Sequence, residues 1–184
     1  SNDPTAFSGF GPYMPGFSSV EYNNLAALEE EFKRDAKNIA AFMVEPIQGE
    51  AGVVVPDDGY MKRVHELCQQ YNVLLIADEV QTGIARTGRL LAVDHENVKP
   101  DILILGKALS GGVYPVSAVL SSNEIMNVIR PGNHGSTFGG NPIAAAVAIA
   151  ALEVVRDEKT GQMLSNGTWD YKPPTSKCIP CDFN

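Results

Sequence analysis

At 184 residues, 44% of them hydrophobic and 20% charged, the chain has the length and composition of one ordinary globular domain with a substantial core. A formal net charge of −8 without any stripe of Lys and Arg argues against nucleic-acid or anionic-membrane partners. The longest apolar stretch, 143–155, is too short for a bilayer and is interrupted by Glu153, so it reads as a buried helix. Ser1-Asn2-Asp3-Pro4 provides neither a positive start nor an apolar signal core, and without an initial Met the chain reads as processed or cut from something longer. Cys68, Cys178 and Cys181 are too few and too unevenly placed for a disulfide framework, which points to a reducing compartment.

Residues 1–20, rich in Gly, Pro, Ser and Phe, show no period and read as an irregular connection. Asn23 or Asn24 can cap a helix reaching about Lys37, with Leu25, Leu28 and Phe32 on one face. The apolar run 39–44 then reads as a buried strand. Asp57 or Asp58 is placed to start a second helix, in which Met61, Val64, Leu67, Cys68 and Tyr71 recur at helical spacing. Further strands are predicted at 73–77, 102–105 and 116–120. Ser121-Ser122-Asn123-Glu124 matches a capping box for a helix ending near Pro131, and Pro142 suits the first turn of a helix over 143–155. Strands alternating with helices predict an α/β fold with a mostly parallel sheet, whose ligands gather at the carboxyl ends of the strands. Asp78 and Lys107 each follow an apolar strand, which sets both on one rim.

Asp78 ends a strand expected to be buried on both faces, and could be a turn former or a functional carboxylate. A magnesium-holding role of the phosphate-loop ATPase kind fails, because the lone Gly-Lys, Gly106-Lys107, lies downstream and is followed by Ala108. Lys107 sits among Gly106, Ala108, Leu109, Gly111 and Gly112. It is either a turn lysine with a snorkelling stem or a Schiff-base lysine, neutral when desolvated and with room beside it for a flat cofactor. Together the two residues suit pyridoxal phosphate, with a carboxylate for the ring nitrogen and an amine for the aldehyde end. The turn His134-Gly135-Ser136-Thr137-Phe138-Gly139-Gly140-Asn141-Pro142 enters a helix N-terminus, where a phosphate is favoured, although a plain loop also explains it and His134 reads as a loop histidine.

Four segments, in order and spacing, resemble the class III pyridoxal-phosphate-dependent aminotransferases: Val44-Glu45-Pro46-Ile47-Gln48-Gly49-Glu50-Ala51-Gly52, Ala77-Asp78-Glu79-Val80-Gln81-Thr82-Gly83, Gly106-Lys107-Ala108-Leu109-Ser110-Gly111-Gly112, and the turn from His134 to Pro142. The likeness runs from Asp3 to about Val155. It implies the large domain of the fold-type I pyridoxal-phosphate enzymes in partial form over 1–157, and a divergent, poorly ordered tail over 158–184. Gly9-Phe10-Gly11-Pro12, Leu109 through Ser117 and His134-Gly135-Ser136-Thr137 resemble the branch acting on ornithine, with acetylornithine and 4-aminobutyrate as the near alternatives.

By that resemblance Lys107 binds the cofactor covalently, Asp78 partners its ring nitrogen, Val80 packs on a ring face and Gln81 lies near its phenolic oxygen. Ser136 and Thr137 reach the phosphate held by the neighbouring subunit of a homodimer, and Glu50 takes part in substrate selection, although it could be an ordinary loop carboxylate. The implied substrates are an amino acid and a 2-oxo acid, and the implied location is the mitochondrial matrix, or the cytoplasm in a prokaryote. Relatives of this family are more than twice as long. Their glycine-containing phosphate loop, ring-stacking aromatic, substrate-binding arginine and small C-terminal domain have no counterpart here, so a non-catalytic fragment or binding module is the competing reading. Cys178-Ile179-Pro180-Cys181 supplies two of the four ligands that zinc needs, and no metal is expected.

Overall fold

The computed structural model describes residues 3–159; the predicted tail, with Cys178 and Cys181, lies almost wholly outside them. Within the segment read as irregular, Asp3 caps a single helical turn, α1 (Pro4–Phe7), by accepting from the Thr5 amide at 2.9 Å. Helix α2 (Leu25–Asp35) is capped by Asn24, whose Oδ1 accepts from Ala27 N at 3.0 Å. Strand β1 (Ala41–Val44) leads to helix α3 (Tyr60–Tyr71), and α3 returns the chain to β2 (Leu74–Asp78).

Neither Asp57 nor Asp58 caps α3, contrary to the sequence expectation. Its N-cap is Gly59, at φ 83° in the left-handed region, and a glycine has no oxygen to offer. The free amides are met from a distance, by Glu96, which accepts from Gly59 N at 3.2 Å and Lys62 N at 2.8 Å. Glu96 closes a short 3₁₀ turn, Ala92–Glu96, in the long connection between β2 and β3 (Ile102–Leu105), and so ties that connection to α3.

The four strands lie in the order β1-β2-β3-β4, with β4 spanning Ala118–Ser121. The first three are parallel and β4 runs antiparallel to β3, with Leu105 opposite Ala118. Asp101 pins this arrangement at the amino end. Its Oδ2 accepts from Leu75 N at 2.8 Å, its own N donates to Leu75 O at 3.0 Å, and its carbonyl accepts from Ser121 Oγ at 2.7 Å. The resulting register sets Asp78 opposite Ile104.

Helices α2 and α3 cover one face of the sheet, where Leu28, Phe32, Val64, Leu67 and Cys68 meet Leu75 and Ala77. Full burial of each large apolar side chain contributes roughly 1.5–3 kcal/mol. The other face of β2 is only half covered: Leu74, Ile76 and Asp78 alternate with the buried Leu75 and Ala77, so this strand is not buried on both faces as predicted.

Two helices also differ from expectation. The predicted capping box gives one turn, α4 (Asn123–Met126), with Ser122 as its cap because the Ser121 hydroxyl is engaged by Asp101. Helix α5 (Pro142–Asp157) begins at the predicted proline, with Asn141 capping through Ala144 N at 2.9 Å, but of its residues only Ala144 is buried. Its inner side, Ala148 and Val155, packs with Leu105, Leu109 and Ile84 in a second, smaller core.

Burial pushes the Cys68 thiol up to about 12, with the nearby Asp101 charge as the smaller cause. An unfolded cysteine ionises near 8.5. This contribution to stability is therefore fully present below about pH 8.5 and is lost as pH rises toward 12. Urea unfolding across that window should show a decline that is shallower in Cys68→Ala, and iodoacetamide should label Cys68 only after denaturation.

Candidate active site

The carboxyl ends of β1, β2 and β3 open onto a cleft of about 450 Å³ lined by Glu45, Glu50, Asp78, Val80, Gln81 and Lys107. That volume lies within the range of about 300–1,000 Å³ usual for small-molecule sites. Asp78 is the last residue of β2, and Lys107 comes three residues beyond its register partner Ile104. At about 3.3 Å per residue, the Lys107 backbone lies no more than about 10 Å farther along the strand direction. The carboxylate and the amine that the sequence paired thus face one space.

Each side chain is set by its local backbone. Asp78 Oδ1 accepts from Val80 N at 3.1 Å, curling the chain as it leaves β2. Val80 then packs against the peptide of Gly106, where an added Cβ would come within 3.4 Å of its Cγ1. Gln81 Nε2 donates to Glu50 Oε1 at 2.6 Å, joining the loop after β2 to the loop after β1. Gly49 permits this, since a Cβ there would lie 2.7 Å from Gln81 Cδ. Lys107 opens a 3₁₀ turn, Lys107–Ser110, at φ 47°, a left-handed conformation that a lysine adopts only under constraint. The constraint comes from the other residues of the turn: Leu109 and Ser110 are buried, and Ser110 Oγ accepts from Tyr114 N at 3.3 Å.

The lysine side chain itself is exposed to the open cleft, so the described residues do not supply the desolvation expected of it. Ser136 and Thr137 are not among the residues that line the cleft; residues 131–140 are all exposed, and the Ser136 hydroxyl accepts from Gly139 N at 2.9 Å. No group of three or more His, Cys, Asp or Glu side chains suited to a metal occurs among the described residues. No described helix is long and apolar enough to cross a membrane.

Glu45 lies within one of the four motifs, which assign it no role. It lines the cleft, and its Oε2 accepts from Gly49 N at 3.0 Å. Its place directly after β1 is a usable signal, because the carboxyl-end rule applies to β1 as it does to β2 and β3. Tyr22 supports it from behind, donating to Pro46 O at 2.9 Å and Glu45 O at 3.2 Å.

The profile of the Aminotransferase class-III family matches residues 1–167. The chain belongs to that family. Among class III aminotransferases, the mitochondrial ornithine aminotransferase of Drosophila melanogaster is 67% identical over 162 residues, which are 88% of this chain and 37% of that protein. A crystal structure of the Toxoplasma gondii ornithine aminotransferase, described with partial occupancy of PLP at its active site, matches with a TM-score of 0.85 and 58% identity over 88% of this chain and 37% of that one. The acetylornithine aminotransferase of Elizabethkingia anophelis is 67% identical, with a TM-score of 0.80 over 83% of this chain and 41% of its own. This chain therefore spans about 37% of the length of the curated class III relative from Drosophila.

Gly83 tests the packing beneath the cleft, because a Cβ there would come 2.7 Å from Glu79 O and 3.2 Å from a Leu105 methyl. Gly83→Ala should lower unfolding stability by about 1–3 kcal/mol through overpacking. Gly135→Ala, with nothing within 4 Å of its Cβ, should fall within about 0.5 kcal/mol of the parent. Urea midpoints of the two variants are the measurement.

Proposed function

We propose that the protein of which this sequence forms part is a pyridoxal-phosphate-dependent aminotransferase that moves the δ-amino group of ornithine to 2-oxoglutarate, giving glutamate semialdehyde and glutamate. The observation that carries this reading is the meeting of Asp78 and Lys107 in one cleft. The residues present fit the cofactor: a carboxylate and a primary amine on neighbouring strand ends, a branched apolar side chain against Gly106, and an amide held by Glu50. Residues 1–157 supply part of the large, cofactor-binding domain, and the family match carries on to residue 167, into the tail read from the sequence as divergent.

Pyridoxal phosphate, when bound, supplies an aldehyde carbon and an electron-accepting ring. Asp78 would hold a proton at the ring nitrogen through a charge-assisted hydrogen bond. Lys107 Nζ would hold the aldehyde end covalently with loss of water and, once the substrate's amino group displaces it, would be free to take and return the proton on the substrate carbon. Val80 would orient the ring by apolar contact, and Gln81 would offer its amide toward the phenolic oxygen. Glu50 shares in substrate selection. Ser136 and Thr137, exposed here, would reach the phosphate of a second copy in a homodimer. The mitochondrial names of several relatives support a matrix location. Transfer from acetylornithine is the second reading, favoured by the 67% identity to a protein named for that substrate.

Addition of pyridoxal phosphate followed by borohydride should fix the cofactor to Lys107, located by peptide mass spectrometry. An undiminished yield in Lys107→Ala would sink the assignment. Asp78→Asn should retain the adduct and, in the whole protein, lower turnover by about 10²-fold or more. Comparing ornithine with acetylornithine as amino donor decides between the two substrates.

A further inference from the structure

Glu79 is the one carboxylate that is fully buried among the described residues, at 1% exposure, and none of the roles assigned above uses it. It lies between Asp78 and Val80, which face the cleft, and points the opposite way, into the protein. None of the four ion pairs found among the described residues includes it. Hydrogen bonds, not an ion pair, hold its carboxylate. Oε1 accepts from Val93 N at 2.9 Å, and Oε2 accepts from the hydroxyl of Thr82, itself buried. Its backbone is fixed as well, with N donating to Ile104 O at 3.0 Å and O accepting from Gly83 N at 2.8 Å.

These contacts tie three elements to the two residues on either side of Glu79. The Ile104 bond continues the β2–β3 ladder by one residue past Asp78. The Val93 bond anchors the same residue to the turn that carries Glu96, and the Thr82 and Gly83 bonds close the loop on itself. Glu79 directly follows the last residue of β2, so fixing its side chain on the interior sets Asp78 on the opposite, cleft side, and its bonds to Thr82 and Gly83 fix the turn that carries Val80 and Gln81.

We infer that Glu79 is a positioning residue whose buried hydrogen bonds to Val93 and Thr82 hold Asp78, Val80 and Gln81 toward the cofactor. The inference deepens the proposed pyridoxal-phosphate reading and rests on it. It further assigns the effect to hydrogen bonding and not to charge. Glu79→Gln discriminates the two, since it keeps a carbonyl acceptor for Val93 N and offers an amide donor to the Thr82 hydroxyl. Glu79→Ala keeps neither.

The test uses the whole protein loaded with pyridoxal phosphate, with wild type, Glu79→Ala, Glu79→Gln and Asn24→Ala compared. Asn24→Ala serves as a destabilised control, because it removes the cap of α2 and Asn24 neither lines the cleft nor bonds to Glu79, Val93 or Thr82. In Glu79→Ala, cofactor dissociation should speed by about ten- to a hundredfold, by analogy with the loss of outer-shell hydrogen bonds around metal sites. Without cofactor, amide exchange across 80–83 should also quicken in that variant. Glu79→Gln should restore both to within about threefold of wild type, as hydrogen-bonding capacity is kept. Asn24→Ala should lower the melting temperature with cofactor retention unchanged.

Equal cofactor retention in Glu79→Ala and wild type, whatever the melting temperature, would overturn the inference. So would impairment of Glu79→Gln as deep as that of Glu79→Ala, which would assign the effect to charge. Wild-type protein that holds no pyridoxal phosphate on Lys107 would remove the reading beneath it, and the inference with it; that outcome is seen in the wild-type sample alone.

Discussion

The register of β2 against β3 is the constraint on which the cleft depends. Asp101 pins it at the amino end by exchanging two hydrogen bonds with Leu75, and the Glu79–Ile104 bond extends it at the carboxyl end. A slip by one residue would turn Asp78 inward and Glu79 toward the cleft, since the side-chain period of a strand is two. Parallel pairing is what brings both functional groups to one rim: β2 and β3 leave the sheet at the same end, so the residues that follow them emerge together.

Around that rim the structure places its polar bonds and its packing in different places. The loop after β2 is held by buried hydrogen bonds to a carboxylate, whereas the lysine turn after β3 is held mainly by apolar contact. Leu109 is buried beneath α5, and Gly111, at φ 62°, lies where a Cβ would come within 3.4 Å of the Ala151 methyl. The left-handed backbone of Lys107 is thus imposed by its surroundings, since a lysine gains nothing from it locally.

The parts of this arrangement that depend on local pattern were legible in the sequence. The helical spacing of Leu28 and Phe32, the Asn24 cap, the apolar run 102–105 and the proline that opens α5 all appear where the residues predict them. Asp78 and Lys107 were legible because both follow apolar strands. What failed had long-range causes. Glu96 caps α3 from a site 34 to 37 residues away, which no local motif encodes. Ser121 reads as a cap yet bonds to Asp101, 20 residues back in the chain, and Ser122 takes its place. Glu79 and Glu45 sit inside legible motifs, but their burial and their direction follow from tertiary packing, which sequence spacing does not contain.

Helix α5 gives the surface a second character. Ile143, Ile149 and Val154 are 61%, 58% and 52% exposed, on a chain whose net charge is −8. Electrostatic repulsion between copies opposes the adhesion of these side chains, and it reaches only about 10 Å at 0.1 M salt. Sulfate or phosphate shortens that range further and strengthens apolar association. Salting-out at modest kosmotrope concentration, with recovery on dilution, is the colloidal signature such a surface carries.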